Sequence, residues 1–282
     1  MKLLRYGPKG QEKPGLLDKG GTIRDLSGVI ADVTPETLSS SALEKLKKLD
    51  PASLPAVGGS PRLGAPLTQI PKIVCVGLNY TDHAKETGAA IPKEPILFMK
   101  ATSSLNGPND DVMLPRGSVK GDWEVELGIV IGTTARYVAE RDALKHVAGY
   151  VLVNDVSERE YQIERGGQWT KGKSCDTFCP VGPWLVTADE VGDPQKLELF
   201  CEVNGKTMQK GTTANMIFGV AHIVSYASRF MTLMPGDVIP TGTPAGVGLG
   251  MKPPVFLKAG DTMRLGIGGL GEQSQKVVAF RE

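Results

Sequence analysis

The chain has 282 residues, enough to bury a substantial core without disulfide or metal staples. Its 32 basic and 31 acidic residues leave a formal charge of +1, with the two signs interspersed, which excludes the basic footprint of a nucleic-acid binder. The 35 glycines and 20 prolines favour many short strands and turns over a helical bundle.

MKLLRYGPKG turns polar after a few positions and carries no secretory apolar region. KLLRYG reads as a strand, and PGLLDKGGTIRDLSG as two more around a DKGG turn. TPETLSSSALEKLKKLD combines helix-start residues with leucines at i, i+3 and i+4. PASLPAVGGSPRLGAPLTQIP has five prolines, three glycines and no periodicity. It reads as a linker or extended surface segment, and a boundary near Ile70 divides a small domain over 1–69 from a larger one over 70–282.

KIVCVGLNY and GYVLVND are short apolar strands that end in polar residues, and EVELGIVIG alternates. Asn204-Gly205 marks a hairpin within LELFCEVNGKTMQKG. Helical pattern is clearest in MIFGVAHIVSYASRFM and in YTDHAKETG, which Gly88 would stop. Runs such as IVCVGL are far too short to span a bilayer. Cys75, Cys175, Cys179 and Cys201 lack C-x-x-C spacing, so a reducing, cytoplasmic context is expected.

Two motif matches lack the context that gives them a mechanism. GQWTKGKS, Gly167 to Ser174, fits the phosphate-loop pattern. Its lead-in SEREYQIERG is too charged for a core strand, and Pro180, Gly182 and Pro183 would break a following helix. GIGGLG, Gly266 to Gly271, fits a dinucleotide fingerprint but lies too close to the end for a βαβ unit.

Within DWEVELGIVIG, Val125, Leu127, Ile129 and Ile131 define one buried face, while Glu124 and Glu126 stand side by side on the other. They are either ordinary glutamates on a solvent-facing strand or, with Asp155 at the end of GYVLVND, a carboxylate set suited to Mg²⁺ or Mn²⁺. His83 and Glu86 are neighbours at i and i+3. They form either a surface pair or a carboxylate-oriented imidazole able to act as a general base. His146 and His222 lie in plausible helices and suggest no chemistry.

Taken together, GLNYTDHAKETG, EPILFMKATSSL, GDWEVELGIVIG, GYVLVNDVSEREYQ, KGKSCDTFCPVGPW, NGKTMQKGTT and MPGDVIPTGTPAGVG resemble the fumarylacetoacetate hydrolase superfamily, from about Pro71 onward. The resemblance implies an α+β, mostly β protein: a mixed β-sandwich roll preceded by a small β-rich N-terminal domain. It implies one divalent ion, Mg²⁺ with Mn²⁺ as the alternative, on Glu124, Glu126 and Asp155, and a water-activating dyad of His83 and Glu86. Lys173 is implied to meet a keto acid rather than a nucleotide. Arg159, Gln162 and Thr243 are implied to contact substrate, with Lys100 nearby.

The chain resembles members known as ureidoglycolate lyases or 2,4-diketo-3-deoxy sugar acid hydrolases. The second type implies cleavage of a 2,4-diketo acid, with L-2,4-diketo-3-deoxyrhamnonate, split to pyruvate and L-lactate, as the leading candidate. Fumarylpyruvate or another acylpyruvate, oxaloacetate decarboxylation and ureidoglycolate cleavage are alternatives on the same site. A non-catalytic metal-binding protein is the alternative of another class. The resemblance also implies a homodimer or a tetramer built from dimers. No nucleic-acid or membrane partner is expected.

Overall fold

The computed structural model describes residues 1–282. Its centre is the strand Val125–Ile131, all seven residues of which are buried. It pairs antiparallel with Val147–Asn154 on one side and with Val238–Pro240 on the other. From that pair a 10-stranded sheet spreads both ways. In one direction follow Leu185–Thr187, Lys2–Tyr6, Lys13–Leu17 and Ile23–Asp25. In the other, beyond Val238–Pro240, lie Ile73–Gly77 and Ile96–Lys100. A 5-stranded sheet built on Glu198–Val203, Lys206–Thr212, Thr262–Ile267 and Gly271–Val278 packs against it.

The large sheet is covered on both faces, so alternation along its central strand separates two cores rather than core from solvent. Val125, Leu127, Ile129 and Ile131 join Leu199, Cys201, Met263 and Leu265 of the second sheet in a cluster of 31 buried residues. Val130 points the other way, into a cluster of 20 with Leu3, Leu26, Leu38, Leu43 and Leu67. The glutamates at the start of the strand stand on this second face. The solvent-facing alternative for them is therefore excluded.

The expected turns form where glycine and asparagine permit them. Asn204 and Gly205 take φ of 53° and 75°, closing the hairpin between Glu198–Val203 and Lys206–Thr212. Gly88 at φ 67° caps Thr81–Thr87. The N-terminal helix is split into a 3₁₀ turn, Pro35–Leu38, and an α-helix, Ser40–Lys47, whose N-cap Ser39 accepts from the Ala42 amide.

Helix covers only Val220–Ala227 of MIFGVAHIVSYASRFM. Phe218 is drawn off by Asn79, whose Oδ1 accepts from the Phe218 amide and whose Nδ2 donates to the Phe218 carbonyl. The Pro/Gly-rich stretch is not a free surface segment: Leu67 and Ile70 are buried in the second core, and Leu63–Gly64 pairs with Lys2–Tyr6. All four cysteines are free. No helix is long and apolar enough to cross a membrane.

Candidate active site

Strand register brings three carboxylates together. Val125 faces Asn154 and Glu126 faces Val153 in the antiparallel pair. One step beyond, the Asp155 amide donates to the Glu124 carbonyl at 2.9 Å. Glu124, Glu126 and Asp155 thus share one face, on adjacent strands. Each offers a carboxylate oxygen within 4.8 Å of the others, and all are buried. This all-oxygen set, without a cysteine or histidine, fits a hard divalent cation such as Mg²⁺ or Mn²⁺.

Cations surround the cluster. Lys173 Nζ lies 2.6 Å from Glu124 Oε2 and 2.8 Å from Asp155 Oδ2. Arg159 reaches Glu124 Oε1 at 2.7 Å, and its Nη1 donates to Gln162 Oε1 at 2.9 Å. Burial alone would raise the Glu124 pKa, but Lys173 and Arg159 outweigh it and lower it to about 2. Burial likewise opposes the Lys173 ammonium, and Asp155 and Glu124 more than offset it, raising its pKa. Glu126 has no such partner. Burial, then the Asp155 and Glu124 charges, push its carboxyl well above the usual range.

His83 sits on the short helix Thr81–Thr87, directly after the buried strand Ile73–Gly77, and is 7% exposed. Its Nδ1 is 3.2 Å from Glu86 Oε2. The loop 242–250 holds both carboxylate systems. The Gly242 amide donates to Glu126 Oε2 at 2.8 Å, and the Gly246 amide donates to Glu86 Oε1 at 2.9 Å. Gly242 and Gly246 take φ of 99° and 106°, conformations that an L side chain rarely adopts.

A cavity of about 210 Å³ opens on these groups. His83, Glu124, Glu126, Arg159, Gln162, Lys173 and Thr243 all line it. Glu86 and Asp155 stand behind their partners. Lys100 also lies outside the lining: its Nζ donates to Asp155 Oδ1 at 2.6 Å and to the Val156 carbonyl at 3.1 Å. It is placed to orient Asp155 rather than to touch a ligand. The Thr243 hydroxyl donates to the Val125 carbonyl and accepts from Gln209 Nε2, which fixes the loop against the central strand.

Asp122 was missed by sequence reasoning. It is fully buried, its Oδ2 accepts from Arg159 Nε at 2.8 Å and from the Leu249 amide at 3.0 Å, and its Oδ1 accepts from the Gly248 amide at 2.7 Å. The Asp-x-Glu-x-Glu spacing of 122, 124 and 126 was the available signal. The apolar wall of Phe98, on the strand Ile96–Lys100, and Trp169, at the start of the helix Thr170–Lys173, was missed as well; single aromatics on separate elements give no periodic signal.

The phosphate-loop match resolves structurally. Its lead-in is a helical turn, Glu160–Glu164, rather than a strand, and Lys173 ends a four-residue helix and turns inward. The motif glycine is needed for packing: a Cβ on Gly172 would lie 2.3 Å from the Glu158 carbonyl and 2.5 Å from the Gln162 amide nitrogen. GIGGLG forms the end of one strand and the turn into the last hairpin.

Comparison with known proteins places this architecture. The family described as fumarylacetoacetate (FAA) hydrolase C-terminal matches residues 72–278. A Burkholderia ambifaria protein, named as a hydrolase without a stated substrate, is 62% identical over 276 residues, 98% of each chain. The solved fumarylacetoacetate hydrolase of psychrophilic Exiguobacterium antarcticum is 39% identical, with a TM-score of 0.89 over 99% of this chain and 100% of that one. Maleylpyruvate hydrolase from Sphingobium sp. SYK-6, solved with manganese(II) and pyruvate, is 31% identical, with a TM-score of 0.83 over 100% of both chains.

Proposed function

The chain belongs to the fumarylacetoacetate hydrolase family, and from that premise we propose that it is a metal-dependent hydrolase cleaving the C3–C4 bond of a 2,4-diketo acid. L-2,4-diketo-3-deoxyrhamnonate is the leading substrate, yielding pyruvate and L-lactate. The observation that carries this reading is the convergence of a carboxylate-backed imidazole, His83 with Glu86, on the same cavity as Glu124, Glu126, Arg159 and Lys173. The manganese and pyruvate bound to the maleylpyruvate hydrolase support the same assignment.

Glu124, Glu126 and Asp155 would hold a divalent cation, Mg²⁺ in this reading with Mn²⁺ as a substitute, which when bound supplies Lewis acidity to the keto acid. His83, its ring oriented by Glu86, removes a proton from water. The water oxygen adds to the C4 carbonyl, whose electron pair moves onto oxygen. That alkoxide collapses, the C3–C4 bond breaks, and its electrons pass to C3 and the 2-keto group as the enolate of pyruvate. The His83 imidazolium returns the proton to C3, so one water is consumed and two acids leave. Lys173 and Arg159 place positive charge beside the developing oxyanions. Gln162 is a further donor at the substrate, the loop bearing Gly242 and Thr243 closes the carboxylate end, and Lys100 keeps Asp155 oriented.

The test is a panel of 2,4-diketo acids assayed by mass spectrometry for pyruvate release, with Mg²⁺ and with chelator. Turnover should require the cation and should vanish in Glu124→Ala. His83→Ala should lower kcat by roughly 10²–10⁴-fold, the usual worth of a general base. An unchanged His83→Ala rate would instead assign a reaction that needs no activated water, such as decarboxylation. A homodimer or dimer-built tetramer is the expected assembly, measurable by light scattering.

A further inference from the structure

The cavity lining is of two unlike kinds. Arg159 and Lys173 are the only arginine or lysine side chains that line it, and both are committed. Lys173 bridges Glu124 and Asp155. Arg159 is shared among Asp122, Glu124 and Gln162. All positive charge is therefore gathered at the carboxylate cluster.

The remaining wall is apolar. Phe98 and Trp169 meet edge to face, with centroids 5.3 Å apart and rings inclined at 62°. Trp169 lies directly on the backbone of Gly77, where a Cβ would come within 2.3 Å of its ring. Ile163, 49% exposed, stands at the mouth, and Leu249 enters from the loop 242–250. The polar groups beside this wall are neutral. The Thr87 hydroxyl is spent on the His83 carbonyl. Gln162 accepts from Arg159 at Oε1, which leaves its amide nitrogen free to donate to a carbonyl or hydroxyl.

Resting on the hydrolase reading above, we infer that the acyl group beyond C4 of the substrate is short and uncharged, packing on Phe98, Trp169 and Ile163, and that diketo acids with a second carboxylate at that end are rejected. A terminal carboxylate there would be desolvated against Trp169 and Ile163, and Lys173, whose ammonium lies 5.2 Å from the Phe98 ring centroid, is already bridged between Glu124 and Asp155. A hydroxyl is tolerated, because the Gln162 amide can meet it. The volume agrees: about 210 Å³ falls below the roughly 300–1,000 Å³ of pockets for drug-sized ligands, so the acyl group has few carbons. Maleylpyruvate, with carboxylates at both ends, falls in the rejected class.

The decisive comparison is between two substrates of equal chain length, 2,4-dioxohexanoate and 2,4-dioxohexanedioate, assayed for pyruvate release with Mg²⁺. The first should be preferred in kcat/KM by on the order of 10²-fold or more, the scale set by leaving a buried polar group unpaired. Ile163→Lys, at an exposed position that the fold tolerates, should shift that ratio toward the dianion by about tenfold or more. Equal or better use of the dianion by the native chain, or an unmoved ratio in Ile163→Lys, overturns the inference. If no diketo acid is turned over, the hydrolase reading fails by itself. Calorimetric binding of 2-oxohexanoate against 2-oxohexanedioate in the presence of Mn²⁺ then still decides the charge preference, the monoanion being expected to bind more tightly.

Discussion

Glu124, just ahead of the strand Val125–Ile131, and Glu126, within it, are two residues apart and carry opposite perturbations. Burial works on both, but Lys173 and Arg159 reverse it at Glu124, whereas Asp155 and Glu124 add to it at Glu126. A divalent cation binds the ionised carboxylate and therefore competes with the Glu126 proton. Affinity should therefore be weak at acid pH, where the proton competes, and should climb with pH until the raised pKa is passed. Titration calorimetry with Mn²⁺ over a series of pH values, in buffers of different ionisation enthalpy, should report net proton release that grows toward acid pH and disappears in Glu126→Gln. Equal heats in all buffers would mean that Glu126 is already ionised. At this scale much was legible, because the spacings i, i+2 on a strand and i, i+3 on a helix fix which side chains are neighbours. What could not be read was which neighbour each charge would find: Arg159 meets Asp122 from 37 positions away, and nothing local encodes that distance.

Among the elements, the loop 242–250 most clearly does work that its composition hides. TGTPAGVG looks like a generic turn, yet its Gly242 and Gly246 amides bond Glu126 and Glu86. A Cβ on Gly246 would lie 1.9 Å from the Met208 carbonyl oxygen at a φ of 106°, so the backbone itself must move to accept one. Gly246→Ala should cost roughly 1–3 kcal/mol of stability, seen as a lower Tm. It should also lower kcat by roughly tenfold to a hundredfold, because the amide that orients Glu86 is displaced. Full activity in that variant would detach Glu86 from the proton transfer. The hairpin at Asn204-Gly205 and the Gly88 stop were legible because backbone conformation alone dictates them. Phe218 was not, because Asn79, from the distant connection between Ile73–Gly77 and Thr81–Thr87, captures its backbone before the helix begins.

For the molecule as a whole, the large sheet runs unbroken from Ile23–Asp25 to Ile96–Lys100. Lys2–Tyr6 pairs with Leu185–Thr187, and Leu3, Leu16, Leu26 and Leu67 help cover one face of the central strands. Removing residues 1–69 would bare both that face and a sheet edge, so the remaining 70–282 should aggregate or lose its cooperative thermal transition. A soluble, monodisperse fragment with a sharp melt would show that the N-terminal segment is dispensable. Such long-range pairing was not readable from alternation, since either face of a doubly covered strand gives the same apolar run. The cavity also divides labour between its two sides. One short loop holds both the Glu126 and Glu86 carboxylates, so a substitution there retunes cation grip and proton transfer together. Trp169 is tied to the chemistry as well, since its carbonyl accepts from the Lys173 amide at 3.1 Å, but Ile163 is exposed and bonded to neither carboxylate. New substrates are therefore accessible by changing Ile163 while the chemistry stays as it is.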